Sequence, residues 1–333
     1  METKRNAQLD RELSRVGLGT WAIGGWMWGG TDEAESIRTI RAALDKGINL
    51  IDTAPVYGFG RSEEIVGKAI REHGNRDRIV LATKAALDWN DDHKPFRNAS
   101  RERILKEIDD SLQRLQTDYI DIYQIHWPDD SVAAEETAGT MKQLLDEGRI
   151  RAIGVSNYSS EHMAAFRETA PLHFCQPPYN LLERGIEDDE LPYCQKNDIA
   201  LLTYGALCRG LLSGKMTAET KFTGDDLRRF DPKFKKPRYE QYLEAVNRLD
   251  TFAREHYDRR VIQLAVRWIL DQGVDIALWG ARRPDQLDAL DGLDGWTLDD
   301  DARARIAEII DETVQKPVGP EFMAPPKQKA RTQ

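Results

Sequence analysis

The sequence predicts a closed (β/α)8 TIM barrel with long loops at its C-terminal face and a C-terminal tail, and three observations lead there. Short apolar runs alternate with helix-period stretches along the whole chain, which implies a parallel sheet with crossover helices. Eight such runs occur, and eight strands with crossovers suit a closed barrel better than an open doubly wound sheet. No Gly-x-Gly-x-x-Gly follows the first run, so the dinucleotide fingerprint of an open sheet is missing. The 333 residues exceed the ~250 of an ordinary barrel by enough for those loops and the tail. We therefore expect a single domain over 1–333, although length alone would also hold two ordinary domains.

Arg15 to Thr20 reads as the first strand. Glu33 to Lys46 follows with Ile37, Ile40 and Leu44 on one helical face and Gly47 as a stop. Ile48 to Ile51 leads into Asp52 as the second strand. Ser62-x-x-Ile65 opens a helix whose Glu63 and Glu64 suit the positive end of its dipole. Ile79 to Thr83 ends at Lys84, and Ser100 is an N-cap for a helix to Leu115. Ile120 to Ile125 ends at His126; a helix from Glu135 to Asp146 stops at Gly148. The fifth strand is Ile150 to Val155, with Ser159 or Ser160 capping a helix to about Thr169. His173 to Gln176 is a short sixth strand, Glu187 to Lys196 a helix, and Ile199 to Tyr204 the seventh strand. Residues 205–239 are too long to be a neutral connector and read as functional, as do 85–99 and 313–333. Helices cover 240–256 and 259–271, Asp275 to Trp279 is the eighth strand, and Pro284 to Leu290 and Leu298 to Ile310 close the chain.

Composition narrows the class. A net charge of −10 repels nucleic acid. No 18-residue apolar run exists, so no membrane span is expected. The polar start Met1-Glu2-Thr3-Lys4-Arg5 has no apolar signal core behind it. Three cysteines, an odd count without C-x-x-C, fit a reducing, cytoplasmic location better than a disulfide framework. Six histidines and these cysteines show no metal-ligand spacing, so no metal is expected. Homo-oligomerisation stays open.

Chemistry gathers at the strand ends. Asp52, Lys84 and His126 each close an apolar run, and Tyr57 follows Asp52 across a short loop. The C-terminal face of a barrel is where active sites are built. A phenol has a pKa near ~10, too high for an efficient acid near neutrality. A neighbouring ammonium lowers it; Lys84 can do this, with Asp52 holding the lysine charged. Tyr57 and His126 would then stabilise a developing alkoxide. A lysine closing a buried strand is itself unusual, because its charge has to escape or be paired.

The chain resembles the aldo-keto reductases. The matching segments are Leu18-Gly19-Thr20-Trp21, Asp52-Thr53-Ala54-Pro55-Val56-Tyr57-Gly58, Ala82-Thr83-Lys84, Gln124-Ile125-His126-Trp127, Gly154-Val155-Ser156-Asn157, Gln176-Pro177-Pro178-Tyr179-Asn180 and Gly280-Ala281-Arg282. The resemblance runs from about residue 15 to the C-terminus. It is closest to a bacterial NADPH-dependent subgroup with glyceraldehyde reductases and a general stress protein, through residues 21–30 and Phe322-Met323-Ala324-Pro325-Pro326. It implies NADPH as cofactor, a small-molecule carbonyl as substrate, and the catalytic quartet Asp52, Tyr57, Lys84 and His126.

The resemblance also implies a nucleotide site. Thr20, Trp21 and Asp52 lie at its start, Ser156, Asn157 and Gln176 would bond a nicotinamide carboxamide, and Tyr204 would stack on the ring. Gly205-Ala206-Leu207-Cys208-Arg209 offers small residues for close approach to a pyrophosphate, where many members have Ser-Pro-Leu, and Lys215 and Arg228 can close over it. Gly280, Ala281 and Arg282 precede a helix start, an anion site, and the Arg282 fork matches a 2′-phosphate. Gln286 reaches the adenosine. Ala289 and Leu290 replace acidic and amide residues common in the family, so the adenine contacts stay unassigned. Trp21, Trp28, Trp89 and Trp127 would wall the substrate site and exclude water. Residues 322–326 would either fold over the mouth or stay loose. Two rival functions share the architecture: a nicotinamide-sensing regulatory subunit, and a barrel aldolase using Lys84 as Schiff-base nucleophile.

Overall fold

Eight parallel strands close in chain order: Val16–Gly19, Leu50–Asp52, Val80–Ala85, Ile120–Ile125, Ile150–Ser156, Phe174–Gln176, Ala200–Thr203 and Ile276–Gly280, the last pairing back onto the first. The computed structural model describes residues 1–327. Register is continuous across the mouth, with Gly19 opposite Asp52, Asp52 opposite Ala82, and Lys84 opposite Gln124. The barrel interior is packed by Leu50, Val80, Ala82, Ile122, Ala152, Phe174, Leu202, Ile276 and Leu278. A larger apolar shell lies between the strands and the surrounding helices.

The helices begin where capping chemistry places them. Asp32 accepts from the Glu35 N–H at 2.9 Å, and Ser100 and Ser159 accept from Arg103 and His162. One expected start differs. The helix Arg61–His73 is capped by Gly60, and the Ser62 hydroxyl donates toward Thr20 while accepting from Thr53. That hydroxyl ties the first and second strand ends together instead. Pro284–Leu290 is a 3-10 run, and the stretch expected as Glu187 to Lys196 divides into Gly185–Asp188 and Glu190–Lys196.

Two hairpins were not expected. Thr3–Asn6 pairs with Arg11–Ser14 and drives Leu13, 2% exposed, into the floor of the barrel. Leu87–Trp89 pairs with Pro95–Arg97 beside the mouth. The 205–239 segment is anchored by a buried charge cluster. Lys233 reaches Glu183 at 2.6 Å, and Arg209 pairs with both Glu183 and Asp231. Removing one member would leave a buried charge uncompensated. Among the described residues, no helix is long and apolar enough to cross a membrane.

Candidate active site

The strand ends bring Asp52, Lys84, Tyr57 and His126 together. Lys84, wholly buried, places Nζ 2.8 and 2.7 Å from the two Asp52 carboxylate oxygens and 3.0 Å from the Thr53 carbonyl. The same Nζ lies 3.4 Å from the Tyr57 hydroxyl. Tyr57 and His126 meet edge to face at 5.8 Å, and Trp21 stacks on Tyr57 at 5.9 Å and 21°. Backbone contact fixes where Tyr57 stands. A Cβ on Gly24 would come 2.4 Å from the Tyr57 carbonyl oxygen, and one on Gly58, at φ +70°, within 2.2 Å of the Gly24 carbonyl oxygen. Only glycines permit that approach.

Two amides complete the shell around Asp52. Gln176 Nε2 donates to its Oδ1 at 2.8 Å, and Gln124 Nε2 does so at 3.3 Å. Gln124 received no role from the sequence, since its strand also carries Asp121 and a polar residue alone gives no signal there. Gly154 makes room for it, since a Cβ there would meet Gln124 Cγ at 2.7 Å.

The electrostatics depart from expectation at one point. Burial, then the Asp52 charge, pushes the Tyr57 phenol well above its ordinary value rather than below it. Lys84, whose donors go to both Asp52 oxygens and to Thr53, does not reverse that direction. Burial also lowers Lys84, opposed by Asp52. Burial, then Lys84, holds His126 well below the usual imidazole range. Near neutrality the phenol is protonated and the imidazole neutral, and each can donate a hydrogen bond.

Two cavities adjoin at Trp21, Tyr57, Tyr204 and Met323. The smaller, about 180 Å³, is lined by Thr20, Trp21, Trp28, Asp52, Gly205, Ala206, Leu207, Arg209, Gly280, Ala281, Arg282 and Gln286. The Trp21 and Trp28 indole N–H groups are buried there without partners. Arg282 donates to the carbonyls of Trp28 and Gly30 at 2.6 and 2.7 Å, while Gln286 accepts from the Arg282 N–H at 2.7 Å. The larger cavity, about 490 Å³, is lined by His126, Trp127, Ser156, Asn157 and Gln176 and by apolar groups including Trp26, Leu227, Phe230 and Phe322. Asn157, at φ 60°, bridges the His126 carbonyl and the Tyr204 hydroxyl.

Four expected site residues lie elsewhere. The Cys208 side chain is sealed in the core. Lys215 is exposed and lines neither cavity. Arg228 is taken up by Asp226, at 2.9 and 2.6 Å, and lies over Trp28 and Phe222. Trp89 faces Phe59 and Arg103 across the hairpin. Conversely, Phe322, Met323 and Pro325 of the tail do line the larger cavity. Among the described residues, no group of three or more His, Cys, Asp or Glu side chains could hold a metal.

Known proteins share this barrel. The family model described as "Aldo/keto reductase family" matches residues 15–311. The chain belongs to the aldo/keto reductase family. Like its relatives, this aldo/keto reductase carries the closed eight-stranded barrel. It is 63% identical over 327 residues to aldo-keto reductase YhdN of Bacillus subtilis, covering 98% of each chain. The solved glycerol dehydrogenase AKR11B4 from Gluconobacter oxydans matches with a TM-score of 0.87 and 52% identity, covering 97% of this chain and 99% of that one. An aldo/keto reductase from Klebsiella pneumoniae, solved in complex with NADP and acetate, matches with a TM-score of 0.69 and 28% identity, covering 98% and 96%.

Proposed function

We propose that this protein reduces small aldehydes or ketones with NADPH, reversibly, with Tyr57 as proton donor. The observation that carries the reading is the Tyr57 hydroxyl beside His126, backed by the Lys84–Asp52 pair and open to an apolar cavity. Tyr57 hands its proton to the carbonyl oxygen, and His126 donates a hydrogen bond to the same oxygen. Lys84 stabilises the phenolate left behind, and Asp52 keeps Lys84 charged and in place. The tryptophan walls exclude water from the reacting carbon.

The smaller cavity suits a nicotinamide dinucleotide, which supplies the hydride when bound. Its two unpartnered indole donors call for hydrogen-bond acceptors, and the Arg282 guanidinium, bonded to the Trp28 and Gly30 carbonyls, brings a positive charge that favours an anionic occupant. Arg282 would hold a 2′-phosphate, Gly205 to Leu207 and Arg209 the pyrophosphate side, and Ser156, Asn157 and Gln176 the carboxamide, with Tyr204 against the ring. The Klebsiella relative's complex with NADP supports the choice of cofactor. We further read the chain as one cytoplasmic domain acting on small molecules, without nucleic-acid partners. Three free, buried cysteines and a net charge of −10 support this.

Multiple-turnover loss of NADPH absorbance with an aldehyde panel tests the reading. A single stoichiometric oxidation would favour a nicotinamide sensor instead. Borohydride trapping should yield no Lys84 adduct, because an ammonium clamped by Asp52 is no free amine.

Cofactor choice gives a sharper test. Hydrogen bonds to charged groups contribute roughly 1.5–3 kcal/mol each, and a guanidinium can grip a phosphate through two of them. Arg282→Ala should therefore weaken NADPH binding by about ten- to a hundredfold and leave NADH nearly unchanged. Arg283→Ala should do much less, since that side chain is exposed and paired with Asp285. Dissociation constants for both nucleotides decide it. Equal losses in the Arg282 variant would place the 2′-phosphate elsewhere.

A further inference from the structure

We propose that Arg97 sets the width of the substrate cavity by latching the C-terminal tail across its mouth. The proposal rests on the reductase reading for what the cavity holds. Arg97 ends the second strand of the hairpin beside the mouth. Its backbone N–H donates to the Pro326 carbonyl at 3.2 Å. Its Nε donates to the Pro325 carbonyl at 3.1 Å, and its Nη1 to the Pro128 carbonyl at 2.9 Å. The guanidinium lies over the Trp127 ring, 5.2 Å from its centre. One residue thus joins the hairpin, the loop after the fourth strand and the tail.

Each joined segment supplies cavity wall: Pro95, Trp127, and Phe322 with Met323 and Pro325. Arg97 itself does not line the cavity, so it acts by positioning. Upstream, the tail is held at Val318 by the Tyr242 hydroxyl and at Gly319 by Lys233. Beyond Pro326, among the described residues, the other attachment is the exposed pair Lys327–Asp130, and such pairs contribute little. Arg97 therefore carries the far attachment of the wall. A planar fork reaches two carbonyls while stacking on an indole, which a lysine cannot copy in full.

Among the described residues, no acidic or basic side chain other than His126 lines this cavity. An uncharged carbonyl compound with an apolar body fits it, and Phe322, Met323 and Pro325 of the tail form part of the wall against that body. A bulky body presses on more of that wall than a small one, so the latch acts mainly on bulky substrates.

The test compares wild type, Arg97→Gln and Arg97→Lys at saturating NADPH, with benzaldehyde and propanal as probes. In Arg97→Gln, KM for benzaldehyde should rise about tenfold, the loss of one charge-assisted bond's worth of order. Its kcat should stay within about twofold, and KM for propanal should hardly move. Arg97→Lys should fall between. Hydrogen exchange supplies a readout free of turnover: amides of residues 321–324 should exchange faster in Arg97→Gln and at an intermediate rate in Arg97→Lys. Equal KM changes for both aldehydes, or unchanged exchange in the tail, would overturn the latch. Wild-type protein that turns over neither aldehyde, yet loses tail protection in Arg97→Gln, would retain the latch and remove the reductase reading.

Discussion

Tyr57→Phe should lose aldehyde reduction by about 10²–10⁴-fold, the usual contribution of a positioned general acid. The substitution removes one oxygen. The ring keeps its stack on Trp21 and its edge contact with His126, so the fold and the smaller cavity should survive. NADPH should bind the variant as it binds wild type. The two candidate donors can be told apart, because His126 is held well below the usual imidazole range. It is neutral near pH 7, so reduction should show no limb from His126 between about pH 6 and 8. A phenol pushed upward by burial stays protonated across that window, and a flat profile follows. Turnover near the wild-type rate in Tyr57→Phe would transfer the proton to His126 and sink the assignment. The measurement is steady-state NADPH consumption from pH 6 to 9, with nucleotide affinity measured on the same samples.

Where the chain bends and which residues close the strands at the mouth was legible, because both follow from local pattern. Asp52, Lys84 and His126 announce themselves by closing apolar runs, and a buried charge needs a partner. The partner is Asp52, at 2.7 Å. What resisted reading depends on distant segments. The N-terminal hairpin has strands of Thr-Lys-Arg-Asn and Arg-Glu-Leu-Ser with little apolar alternation, and its function is to set Leu13 under the barrel. Arg228 looked available in sequence, but Asp226, two residues away, binds it. Gln124 needed the neighbouring Gly154 to become visible. The sign of the Tyr57 shift is set first by burial and then by the Asp52 charge, which no periodicity encodes. The position of the tail was undecided, because its wall rests on Arg97, more than two hundred residues away in the chain.

Lys84→Met should damage both stability and catalysis, and the two can be separated. Asp52 is 2% exposed, and removing its cation leaves a buried carboxylate. Breaking such a pair costs about 3–5 kcal/mol. The bonds from Gln176 and Gln124 remain and should keep the loss toward the lower end of that range. A urea midpoint reports it. For catalysis the sign is fixed: an ammonium favours the phenolate, so removing it raises the phenol pKa further. Alcohol oxidation, which needs the phenolate as base, should shift its alkaline limb to higher pH, and its rate near neutrality should fall. The double variant Asp52→Asn with Lys84→Met removes the orphaned charge while leaving an acceptor for Gln176. It should regain most of the lost stability, since replacing a buried pair costs far less than breaking one. It should not regain the reaction, because nothing then stabilises the phenolate. Recovery of turnover along with stability would mean that Lys84 serves the fold alone. An unchanged pH profile in a folded Lys84→Met protein would mean the same.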